Sequence, residues 1–89
     1  MKGFISVIGK DRVGILAAVS NKCAEYNVNI ADVSQTVMSD MFTMIMLIDI
    51  DNINVGFGDF ATLMRDFGQE IGMDIRVMHE DIFNSMHRI

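Results

Sequence analysis

The sequence predicts an α+β fold of the ferredoxin-like kind: a βαββαβ chain forming a four-stranded antiparallel sheet, with two helices on one face plus a short C-terminal helix. Three observations predict it. Four runs, three apolar or alternating and one half-polar, have strand character, and two stretches between them repeat their apolar residues at helical spacing. The segments follow one another in the order β-α-β-β-α-β, joined by short connections holding Gly, Asn and Asp. A chain of 89 residues, 51% hydrophobic, is long enough for one core and so for one domain over 1–89, with 80–89 as a helical tail.

The elements can be read in turn. Phe4 to Ile8 is short, apolar and β-branched, which reads as a buried strand. Ile15, Leu16, Val19, Cys23 and Tyr26 recur at helical spacing, with Asn27 as a stop signal. Val28 to Val37 mixes Val and Ile with Asn, Asp, Ser, Gln and Thr, as expected of a half-polar strand at a sheet edge. Ser39-Asp40 supplies a turn into Phe42 to Ile50, which is apolar on both alternating faces and therefore belongs in the middle of the sheet. Its second face calls for a cover from another chain or from the C-terminal tail. A helix follows from about Phe57 to Gly72, carrying Phe57, Phe60, Leu63, Met64, Phe67 and Ile71 at 3/4 spacing. Gly56 and Gly72 fit its two ends, and Gly68 inside it implies either close packing or tolerance. Met73 to His79 alternates as a fourth strand, and Ile82, Phe83, Met86 and Ile89 give the tail a helical stripe.

Composition excludes several classes. Twelve acidic against seven basic residues leave a net charge of −5, which opposes broad phosphate neutralisation on nucleic acid and attraction to an anionic membrane surface. No run approaches the twenty or so apolar residues of a spanning helix. Lys10, Asp11 and Arg12 also interrupt the apolar stretch after Met1-Lys2 too early for a secretion signal, so a cytoplasmic location is expected. The single cysteine, Cys23, falls on a helical apolar stripe and reads as a buried thiol. His79 and His87 have no partners at metal-ligand spacing, and no serine has a nucleophile-elbow context. No catalytic residue, metal or cofactor is expected.

One junction stands out. Gly9-Lys10-Asp11-Arg12-Val13-Gly14 links the first strand to the first helical turn, where free backbone N–H groups and the helix dipole suit an anion such as a carboxylate. The Gly-x4-Gly spacing begins like a P-loop, but Ile15-Leu16 occupy the positions that need lysine and a hydroxyl, which rejects a nucleoside triphosphate site. Asp11 and Asn29 flank the first helix and share a site only if a neighbouring loop or a second chain brings them together. Otherwise Asp11 simply favours the helix start and Asn29 tolerates a turn or bulge.

The run Gly-Lys-Asp-Arg-Val-Gly-Ile-Leu, a helix, and then Asn-Val-Asn-Ile-Ala-Asp-Val-Ser-Gln resembles the ACT domain over the whole chain. Val77 to Ile89 further resembles the short bacterial and archaeal proteins that consist of one ACT domain. The glycine cleavage system transcriptional repressor is a more distant likeness. The resemblance implies a non-enzymatic regulatory module that pairs side by side as a homodimer. It also implies a small effector, amino-acid-like, held between the loop after the first strand and the start of the second strand. By position the ligand-binding residues are then Asp11, Arg12, Val13, Gly14 and Asn29. Asp11 and Asn29 fall where serine-binding members carry asparagines, Val13 replaces their proline, and Gly9 lacks a polar side chain they possess.

A regulated enzyme or transcription factor is an expected further partner, with no direct nucleic acid and no membrane. The alternative is a protein-interaction or dimerisation module without a small ligand. Acylphosphatases and RNA-recognition domains share the element order. Asp11 beside Arg12 opposes phosphate in the first case, and the acidic balance opposes the second.

Overall fold

The computed structural model describes residues 1–81. Its elements are β1 (Lys2–Lys10), α1 (Ile15–Glu25), β2 (Asn29–Met38), β3 (Met41–Asp49), α2 (Phe57–Glu70) and β4 (Met73–His79). The four strands form one antiparallel sheet in the order β2-β3-β1-β4, the expected ferredoxin-like arrangement. The tail helix expected over 80–89 lies almost wholly outside the described residues.

Period-two alternation sorts the sheet into two faces. Ile5 and Val7 of β1, Met44, Met46 and Ile48 of β3, and Ile75 of β4 are fully buried on one of them. They join Val19 and Cys23 of α1 and Phe60 and Met64 of α2 in a single cluster, so both helices cover that face. β3 is central, as its doubly apolar pattern predicts, and Ile8 and Ile45 on the other face stay exposed. β2 has β3 as its one neighbour among the described residues, and Ser34 to Met38 are exposed, which fits the edge position read from its polar composition.

The helices also depart from the expected stripes. In α1 the buried residues are Ile15, Val19 and Cys23, spaced by four, and Leu16 stands off that line with 39% of its surface exposed. Leu63 of α2 is likewise 39% exposed, one step from buried Met64. Gly68 is explained by close packing: a Cβ there would lie 2.7 Å from the Met73 carbonyl oxygen and 2.8 Å from Ile75 Cγ1. Helix α2 therefore rests almost directly on β4. The α1 stop is also confirmed, since Asn27 adopts φ 59° just past the helix end.

Candidate functional site

Strand β1 runs further than expected, through Gly9 and Lys10, so the connection to α1 is only Asp11 to Gly14. Gly9 is thus a strand residue with Met73 packed over it: a Cβ there would fall 2.6 Å from the movable Met73 sulfur and 3.2 Å from the Gly72 carbonyl oxygen. The turn is pinned at two points. The Asp11 backbone N–H donates to the Asp40 carbonyl oxygen at 2.8 Å, tying the connection to the β2–β3 turn. Arg12 Nη1 donates at 2.9 Å to the carbonyl oxygen of Ile71, the residue that ends α2, so the guanidinium sits where a helix dipole favours a cation. Gly14 closes the turn as the α1 N-cap at φ 88°, ψ 6°, a left-handed conformation that a side chain resists. Among the described residues no side chain caps the helix start, and its first turn contains no acidic residue. Those backbone donors are left for an outside acceptor.

Beside this turn lies a groove of about 440 Å³ between the start of α1 and the C-terminal half of β2. Asp11, Arg12 and Gly14 line it, as three of the five expected site residues. Val13 projects fully into solvent from the tip of the turn and is not part of the lining. The remaining lining residues are Ile15, Leu16 and Phe42 together with Gln35, Thr36 and Val37. Sequence reasoning missed the β2 trio because its position depends on register: Val37 pairs with Phe42, and the neighbouring Met41 pairs with Lys10. Leu16 carried a local signal, being one residue off the spacing of Ile15, Val19 and Cys23.

Asn29 is elsewhere. It opens β2 opposite Asp49, whereas Lys10 lies opposite Met41 at the other end of the nine-residue β3. Strand rise puts roughly 26 Å between those ends, so Asp11 and Asn29 do not share a site within one chain. Asn27, two residues earlier, uses its amide to donate to the Asn52 carbonyl at 2.8 Å and is a loop clasp.

A larger groove of about 670 Å³ follows α2 and β4. Its two guanidinium groups already face carboxylates, Arg76 at 3.3 Å from Asp74 and Arg65 at 3.8 Å from Asp66. Elsewhere, burial pushes the Cys23 thiol up to about 11, which suits an inert core residue. His79 is held in place by the Asp81 N–H donating to its Nδ1 at 3.2 Å and by edge contact with Phe57. Among the described residues no three His, Cys, Asp or Glu side chains are placed to hold a metal ion, and no helix is long and apolar enough to cross a membrane.

Comparison with known proteins agrees with this architecture. The ACT-domain family matches residues 4–78. A UPF0237 protein of Methanocaldococcus jannaschii is 53% identical over 88 residues, covering 96% of this chain and 94% of its own. Among solved structures, an ACT domain protein from Streptococcus pneumoniae superposes with a TM-score of 0.83 at 38% identity, covering 98% of each chain. A glycine cleavage system transcriptional repressor superposes with a TM-score of 0.70 at 27% identity, over 86% of this chain and 43% of its own.

Proposed function

Since this chain belongs to the ACT-domain family, whose members are in general small-ligand-binding regulatory modules, we propose that it binds an amino acid in the groove beside the β1–α1 turn, at an interface between two copies. The observation that carries this reading is the uncapped start of α1 opening on that groove, with Asp11 on the same wall. A zwitterion suits both features. Its carboxylate meets backbone N–H groups and the positive end of the helix, and its ammonium meets the Asp11 carboxylate. A simple anion gains the first contact but is opposed by Asp11.

The second copy is supported by the edge of β2 that is unpaired among the described residues and by the place of Asn29. A two-fold axis against that edge reverses strand direction, carrying Asn29 of the partner subunit toward the groove end of the first copy. The module is then non-enzymatic and cytoplasmic, and it acts by changing its association with itself or with a regulated enzyme or transcription factor. Calorimetric titration with glycine, serine and larger amino acids tests the binding, and sedimentation with and without ligand tests the pairing. The account expects heat from at least one amino acid and loss of that heat in Asp11→Ala and Asn29→Ala.

One observation favours a second reading, a protein-interaction module without a small ligand. Val13, Val37, Met38 and Met41 are all exposed apolar residues at the same end of the molecule. Under that reading no amino acid binds, and association survives both alanine changes.

A further inference from the structure

The side chains of the groove select among amino acids. Phe42 forms its floor at 6% exposure, Leu16 of α1 stands on one side at 39%, and Val37 of β2 on the other at 51%. Val37 pairs directly with Phe42 across the β2–β3 ladder, so the two share the helix-facing side of the sheet. Apolar surface thus stays open to water where a helix and a strand normally close upon each other. The charged lining consists of Asp11 and Arg12, and one Arg12 N–H is taken by the Ile71 carbonyl. An acidic ligand side chain would meet the Asp11 carboxylate as well as the Arg12 guanidinium, and gains less than an apolar one from the Leu16, Val37 and Phe42 strip.

Resting on the amino-acid reading given above, we infer that the ligand carries a neutral, apolar side chain of the valine or leucine class, laid against Leu16, Val37 and Phe42. Glycine leaves that strip wet, serine covers it with no more than a hydroxymethyl group, and aspartate or glutamate brings a second carboxylate beside Asp11.

The test is a calorimetric panel of glycine, serine, valine, leucine, aspartate and glutamate on the full chain and on two variants, Leu16→Gln and Val37→Thr. Both substitutions suit their element: glutamine is a good helix former, and threonine keeps the β-branch. Valine or leucine is expected to bind at least about tenfold more tightly than glycine and serine, the discrimination that one or two buried carbons supply. Each variant is expected to remove most of that advantage, bringing the ratio of leucine to glycine affinity down toward one. Serine, glycine or an acidic amino acid binding as tightly as leucine overturns the ligand class while the amino-acid reading stands. Equal losses for every ligand in the variants mark Leu16 and Val37 as structural and also overturn it. Silence from the whole panel overturns both readings together.

Discussion

Two glycines in α2 should respond to alanine with opposite signs. Both Gly58 and Gly68 are helical, and alanine gains up to about 1 kcal/mol over glycine from propensity alone. At Gly58 nothing lies within 4 Å of an added Cβ, so that gain is realised, at about 0.5–1 kcal/mol. At Gly68 the same atom would lie 2.7 Å from the Met73 carbonyl oxygen and 2.8 Å from Ile75 Cγ1. The first neighbour is β4 backbone, fixed by its pairing to β1, so relief requires α2 to lift from the sheet. Overpacking of this kind costs about 1–3 kcal/mol and outweighs the propensity gain, leaving Gly68→Ala about 1–2 kcal/mol less stable. In a domain of this size each kcal/mol moves the midpoint by about 4–8 °C, so thermal unfolding followed by circular dichroism resolves the pair. Urea unfolding with an unchanged slope would assign the difference to the native state. A Gly68→Ala protein as stable as the parent would refute the claim that α2 packs on β4 through that residue.

Two further outcomes are expected. Gly14→Ala puts a Cβ on a residue at φ 88°, with open space around it, so strain alone costs about 1–2 kcal/mol; the midpoint should fall and amino-acid affinity should weaken with it, read by thermal unfolding and calorimetry. Cys23, buried and pushed up to about 11 by desolvation, should resist iodoacetamide at pH 8 in the native protein and react at once in urea. Its folded value lies above the unfolded one. The thiol's contribution is therefore complete below the unfolded value and is lost as pH rises from about 9 to about 11, on the order of 2–3 kcal/mol. Urea midpoints in Cys23→Ala should lack that part of the alkaline decline.

The elements were legible because each carries its own periodicity. Met73, Ile75 and Val77 alternate with Asp74 and Arg76, and Met73 to His79 forms β4; Gly72 follows α2 at φ 74°, as its backbone freedom suggests, while Gly56 opens the helix in an extended conformation. Helix faces were legible only to within a residue, since Leu16 and Leu63 fit a loose 3/4 spacing yet lie beyond the buried line. The groove was half legible. Its turn is local, and Gly14 announces a positive φ, but Gln35, Thr36 and Val37 reach it through strand pairing some twenty residues downstream. Asn29 shows the same limit from the other side. Its distance from Asp11 follows from β2 running antiparallel to β3, a relation that neither segment contains alone.

The account depends on amino-acid binding at the junction of β1 and α1. Amide chemical shifts of the isotope-labelled protein, recorded while leucine is added, test that most directly. The prediction is saturable shifts at Gly14, Ile15 and Leu16, with Gln35 and Val37 following at the same ligand concentration. Shifts confined to the α2–β4 groove around Arg65 and Arg76, or a spectrum unmoved by any amino acid, would contradict it.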